Sequence, residues 1–166
     1  MTSAALYAGS PSRDGLLVDT NLLVLFTVGT VNRDRIEIFK RTSRYTKPDF
    51  DLLLRVLGKF NNLYTVAHVL AEVSNLTDLP GAEGQQARRV LKQTISLLNE
   101  AEMSSARSAE DRQYQKLGLV DAAISAVAQA HNCTVLTDDF DLYHLLSHDK
   151  VNVINFTHLR AQEWGM

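Results

Sequence analysis

Asp19 follows the apolar run Leu16-Leu17-Val18, and Asp138, Asp139 and Asp141 follow the run Cys133-Thr134-Val135-Leu136-Thr137. Both runs are short and carry β-branched residues, the pattern of a buried strand. Each set of acids therefore falls where a strand ends and a helix begins. In an open parallel sheet that edge is where ligands bind. An aspartate there also has an ordinary structural use as a helix N-cap, which accounts for one acid at each place. Three acids within four positions at 138–141 ask for more, because like charges repel and raise one another's pKa. A bound divalent cation relieves that cost, and hard carboxylate oxygens suit Mg²⁺ or Mn²⁺.

Two further acids sit on helix flanks. In the helix expected at Ala67 to Leu76, Val69, Leu70, Val73 and Leu76 form the apolar stripe. At about 100° per residue, Glu72 falls beside that stripe, with His68 one turn earlier. In the helix expected at Leu119 to Ala130 the stripe is Val120, Ile124 and Val127, and Asp121 lies in the first turn. A flanking acid is either a snorkelling surface group, one favoured by the helix dipole, or a carboxylate reaching into a cleft.

The elements that must position these acids alternate along the chain. Strands are expected at Leu16–Val18, Leu63–Val66, Cys133–Thr137 and Val151–Ile154, with helices between them. Such alternation predicts a parallel sheet covered on both faces. Right-handed crossovers put the carboxyl end of every strand on one edge, so Asp19 and the Asp138–Asp141 cluster share it. Gly29 is read as the end of the first helix and Thr77 to Gly84 as a loop. A long helix is expected at about Glu83 to Glu102, a break at Ser104 to Ser108, a short polar helix at Ala109 to Lys116, and a tail helix ending near Trp164. A helical insertion occupies about 29–62: Val31 to Lys40 is an imperfect helix, and Pro48-Asp49 opens another with Phe50, Leu53, Leu54 and Leu57 on one face. Ahead of Pro48, residues 31–47 carry Arg33, Arg35, Lys40, Arg41, Arg44 and Lys47 against Asp34 and Glu37. These bases are either a solvated helix face or a patch that draws in a polyanion.

A chain of 166 residues with 45% hydrophobic and 22% charged content is expected to form one globular domain over 15–166, after a flexible lead-in over 1–14. The lone Cys133 cannot form an internal disulfide, so a reducing, cytoplasmic setting is the expectation. The first residues lack the basic and apolar regions of a secretion signal, and nothing approaches a membrane span. A net charge of −2 does not mark a nucleic-acid binder by itself; metal ions or a local basic patch must then supply the positive charge.

The combination resembles the PIN-domain ribonucleases. The resemblance lies in Val18-Asp19-Thr20-Asn21, Ala67-His68-Val69-Leu70-Ala71-Glu72-Val73, Leu119-Val120-Asp121-Ala122-Ala123-Ile124 and Val135-Leu136-Thr137-Asp138-Asp139-Phe140-Asp141-Leu142, in that order. It spans Leu16 to about Ile154. It implies a three-layer α/β/α sandwich with a central, mostly parallel sheet, and metal-dependent cleavage of RNA phosphodiester bonds. It implies Asp19, Glu72, Asp121 and Asp139 as the acidic centre, with Asp141 as a helper. On that basis Asp19, Asp121 and Asp139 are expected to ligate the Mg²⁺ or Mn²⁺, and Glu72 to position or deprotonate the water. Thr20, Asn21 and Thr137 are expected to steady the ligands by hydrogen bonds. The six bases of the insertion are candidate RNA contacts. Asp138 occupies a position that varies in the family and receives no role. At family level a toxin role, an antitoxin partner and a homodimer through the alanine-rich helix or the tail aromatics are also implied, although the insertion at 29–62 is longer than in the compact toxin members.

Other chemistries find less support. Cys133 lies in a strand run and no serine stands in a glycine-flanked elbow. His68, His131, His144, His148 and His158 show no zinc spacing with cysteines. No phosphate-cradling glycine loop follows the first strand. A phosphotransferase with Asp19 as nucleophile would carry a second acid where Asn21 stands. The rival of another class is a PIN-like RNA- or protein-binding module with little or no catalysis.

Overall fold

Leu16, Leu17 and Val18 are all buried, with exposures of 1% or less. A strand with no solvent face belongs in the middle of a covered parallel sheet, and β1 (Gly15–Val18) is the central strand. The computed structural model describes residues 15–165; the expected lead-in over 1–14 lies outside them. The other strands are β2 (Asn62–Thr65), β3 (Asn99–Glu100), β4 (Thr134–Thr137) and β5 (Val153–Asn155), in the order β3-β2-β1-β4-β5. Every pairing is parallel. β1 is in register with β2 through Leu16 and Leu63 and with β4 through Val18 and Leu136.

The helices are α1 (Thr20–Val31), α2 (Lys47–Leu57), α3 (Ala67–Leu76), α4 (Gly81–Ile95), α5 (Ser105–Ala109), α6 (Tyr114–Leu117), α7 (Leu119–His131), α8 (Phe140–His148) and α9 (Phe156–Glu163). The chain runs outward from β1 to β3 and then crosses back to β4 and β5. Right-handed crossovers in opposite directions place helices on opposite faces. α1 packs on α2, α3 and α4, whereas α7 packs on β1 and β4, and α8 on β4 and β5. This is the three-layer α/β/α sandwich. Full burial of each leucine in such a core is worth roughly 2 kcal/mol. Among the described residues no helix is long and apolar enough to cross a membrane.

Several expected boundaries move, each for a visible reason. Gly29 does not end α1; it lies inside the helix, where a Cβ would come within 2.4 Å of the Phe50 ring. Its smallness serves the close approach of α2. Val31 ends α1, and the rest of the helix expected to Lys40 is instead a short 3₁₀ turn (Arg33–Arg35) followed by turns. In the strap that links α1 to α2, residues 32–46, Ile36 and Tyr45 are the buried apolar anchors, and the Thr42 hydroxyl donates to the Ile36 carbonyl at 2.8 Å. A side chain that binds backbone locally competes with helix formation. α4 starts inside the expected loop and stops at Ile95, after which the chain turns and adds the two-residue edge strand β3. α5 occupies most of the expected break, with Ser104 as its cap through a 3.1 Å bond from the Arg107 amide.

Candidate active site

Strand order reverses between β1 and β4, which makes their carboxyl ends the topological switch point of the sheet. Asp19 continues β1 past its last residue: its amide donates to the Leu136 carbonyl at 2.9 Å. Its side chain is 5% exposed and both oxygens accept, one from the Thr20 amide at 2.6 Å and one from the Thr137 hydroxyl at 2.5 Å. Burial pushes the Asp19 carboxyl up to about 6, with the charges of Asp138 and Asp139 adding to the push and the two hydrogen bonds opposing it. The Thr137 hydroxyl also accepts from the Asp139 amide at 3.0 Å, so one β4 side chain ties both strand ends together. Asp139 caps α8 by accepting from the Leu142 amide at 2.9 Å. Capping accounts for the place of Asp19 and Asp139 in the chain and leaves their remaining lone pairs available.

The other two acids arrive from helices. The Thr20 hydroxyl donates to Glu72 Oε2 at 2.7 Å, which fixes the α3 flank against the start of α1. Asp121 is set by the turn at Gly118, whose φ of +86° is a conformation that L side chains rarely adopt. That turn begins α7 with Asp121 in its first turn. Burial, joined by the charges of Asp19, Asp139 and Glu72, raises the Asp121 carboxyl to about 7. Four carboxylates from four separate segments thus share one electrostatic environment, and every influence resolved on Asp121 opposes its ionisation. Hard oxygen donors held under mutual repulsion are chemically suited to a hard divalent cation. Among the described residues, however, no three His, Cys, Asp or Glu side chains form a ready-made metal-binding group.

Asp141 lies exposed in the first turn of α8 and is absent from the charges acting on Asp121. Asp138 is held instead: its side chain is 4% exposed, pairs with Arg44 at 2.8 Å, and accepts from the Tyr45 hydroxyl and from Asn21 at 3.4 Å. Thr20, Asn21 and Thr137 all donate to acids at this edge, with Asn21 serving Asp138. The basic patch is mostly paired off with other acids: Arg33 with Asp51 at 2.8 Å, Arg35 with Glu83 at 2.6 Å, Lys40 with Asp78 at 3.5 Å, and Lys47 with Asp34. Arg44 is the one whose ion-pair partner sits at the acidic edge. Sequence reasoning missed Tyr45 and Asp138 as site residues; the only local signal was the surplus acid at 138. Cys133 is buried and its thiol pushed up by that burial, which leaves it inert.

A three-layer α/β/α domain with carboxylates gathered at its switch point places them where an open parallel sheet binds its ligand. The family model described as PIN domain matches residues 16–145, and the chain belongs to the PIN-domain family, whose members are in general nucleases. Its fold is similar to that of FitAcB from Neisseria gonorrhoeae, at 20% identity and a TM-score of 0.56, over 86% of this chain and 99% of that one. VapBC2 from Rickettsia felis, in a structure bound to a DNA fragment from their promoter, is similar at 20% identity and a TM-score of 0.49, over 85% of this chain and 98% of that one. No curated protein matches.

Proposed function

We propose that the chain is a metal-dependent endoribonuclease that hydrolyses RNA phosphodiester bonds at the carboxyl ends of β1 and β4. The observation that carries this reading is the convergence of Asp19, Glu72, Asp121 and Asp139, with Asp121 raised to about 7 by burial and by the other three charges. Acids held in so unfavourable a state mark a functional site. Asp19, Asp121 and Asp139 would hold Mg²⁺ or Mn²⁺, which when bound neutralises the phosphate and lowers the pKa of the attacking water.

The chain's own groups do the positioning. Thr137 and the Thr20 amide fix both oxygens of Asp19, and the Leu142 amide fixes Asp139. Glu72, steadied by Thr20, orients the water or takes its proton. Asp141, on the exposed first turn of α8, would help by attracting the metal ion to the site.

At family level we assign the chain as the toxin of a toxin–antitoxin pair, in which an antitoxin covers the cleft and inserts an Arg or Lys among the acids. A homodimer would have to use a surface other than the alanine face of α7, because Ala122, Ala123 and Ala128 are buried within the chain.

The test is cleavage of single-stranded RNA by purified protein with Mg²⁺ or Mn²⁺. Wild type should cleave and Asp19→Asn should not. Equal metal-stimulated cleavage by both would overturn the assignment. RNA bound tightly yet intact at every metal concentration would establish the binding-module reading instead.

A further inference from the structure

Four clustered carboxylates repel the very polyanion the proposed activity requires. Something cationic must meet the RNA at the mouth of the site, and net charge does not provide it: the chain carries −2. Most of the bases on the strap and α2 are neutralised elsewhere. Arg33, Lys40 and Lys47 pair with acids that are themselves exposed by 44% or more, and such surface pairs hold little in place. Arg35 is spent on Glu83 of α4.

Arg44 is built differently. Its partner, Asp138, is sealed at 4% exposure, while the Arg44 side chain is 54% exposed. The acid is also gripped by Tyr45 and Asn21, so it is a fixed anchor rather than a mobile surface group. The guanidinium lies 5.0 Å from the centre of the Tyr45 ring, and that ring is 1% exposed in the core. Arg160 of α9 donates to the Arg44 carbonyl at 3.1 Å, which holds the backbone as well. Asp138 adjoins Asp139, and the charge of Asp19 reaches Arg44. The result is a planar fork with one edge anchored, one face stacked, and further donors open to solvent beside the acidic centre. That geometry suits the oxygens of a phosphate.

We propose that Arg44 grips an RNA phosphate next to the one cleaved, and that Asp138 and Tyr45 are its positioning residues. The inference rests on the ribonuclease reading for its choice of ligand. It gives Asp138 a purpose outside metal binding: it aims a cation at the substrate.

Binding is measured in EDTA, where no cleavage occurs, with a 2′-O-methyl oligoribonucleotide. A single uncharged methylphosphonate is walked along it. In wild type one position should stand out, weakening binding about tenfold when neutralised. Arg44→Ala should bind about tenfold more weakly and show no further loss at that position, the signature of a direct pair in a double-mutant cycle. Arg44→Lys, which keeps charge but loses the fork, should fall between. Asp138→Asn should flatten the standout position, because the fork is no longer aimed. Arg89→Ala on the exposed face of α4 should leave the profile unchanged.

Thermal melting checks that each variant is folded; if Arg44→Ala is not, Arg44→Lys and Asp138→Asn decide the question. An unchanged profile in the Arg44 variants, or no RNA binding by wild type, overturns the proposal. A chain that shows the Arg44-dependent position yet cleaves nothing with Mg²⁺ or Mn²⁺ overturns the ribonuclease reading and leaves the grip standing. Cleavage with a profile indifferent to Arg44 does the reverse.

Discussion

Two buried aspartates, Asp49 at the start of α2 and Asp19 at the end of β1, meet opposite fates in this fold. Asp49 is fully buried, yet it accepts from the Thr46 amide at 2.8 Å, the Thr46 hydroxyl at 3.0 Å and the Trp164 indole at 3.2 Å, and pairs with Arg160 at 2.8 Å. Burial pushes its carboxyl up, but these donors outweigh burial and hold it below the usual 3.8. Asp19 has two good donors and still rises to about 6, because burial is joined by the charges of Asp138 and Asp139. Asp121 rises to about 7 with nothing resolved against the push. A satisfied buried acid ties α9 to α2 and serves the fold. An unsatisfied cluster of acids costs stability, and its persistence at the switch point is what a functional site looks like.

The largest effect that would break this contrast is at Asp121. Asp121→Asn should lower kcat at least about a thousandfold, some 4 kcal/mol of transition-state stabilisation. The same variant should be more stable than wild type in EDTA at pH 7.5, because an ill-placed charge is gone. Urea unfolding beside a cleavage assay measures both. A lower urea midpoint would show that Asp121 supports the fold after all. Asp49→Asn should do the opposite in stability. It leaves Arg160 without its charge partner, and breaking such a pair costs about 3 kcal/mol. An unchanged midpoint would mean the α2–α9 tie is incidental.

The pH dependence should differ in sign between the two regions. Asp19 and Asp121 have folded-state values above the usual 3.8. The folded chain therefore binds their protons more tightly than the unfolded chain, and metal-free stability should rise as pH falls from about 8 towards 5, by roughly a few kcal/mol. Asp49 is depressed, so its contribution is present above 3.8 and disappears as pH falls below that. Urea midpoints in EDTA across this range would show a maximum on the acid side of neutrality. Combining Asp19→Asn with Asp121→Asn should remove the rise and leave the acid fall. A rise that survives in that double variant would place its origin elsewhere.

Much of this was readable in the sequence, for physical reasons that also explain what was not. β1 and β4 carry apolar, β-branched runs because their faces are covered, and the acids at 19 and 138–141 stand out because they interrupt such runs; β2 and β5 are short and half-buried and read more weakly. β3 is Asn99-Glu100 at the sheet edge and carries no apolar signal. Gly29 reads as a stop until the Phe50 ring is seen lying over it. The caps at Asp19 and Asp139 are observed, and they do not compete with the proposed catalytic use, since a helix start at a strand's end is where both uses put a carboxylate. The grip on Asp138 was invisible. Tyr45 is 93 residues away in the chain and lies in a strap with no helical period, where only tertiary packing gives it a role.

The smallest effects test the contrast one hydrogen bond at a time. Thr20 donates to Glu72 at 2.7 Å, and Trp164 donates to Asp49 at 3.2 Å. Each bond is worth about 1 kcal/mol to stability by ordinary standards. Thr20→Val keeps the side-chain shape at a position only 4% exposed, so its main consequence should be a Glu72 free to swing. Loss of such support to a catalytic group costs about tenfold in kcat. Trp164→Phe should lower stability by about 1 kcal/mol and leave cleavage per folded molecule within about twofold. Measured together, the pair separates the two regions: if Thr20→Val loses stability without losing rate, the Thr20–Glu72 bond belongs with Asp49 as part of the scaffold, and Glu72 has no place in the chemistry.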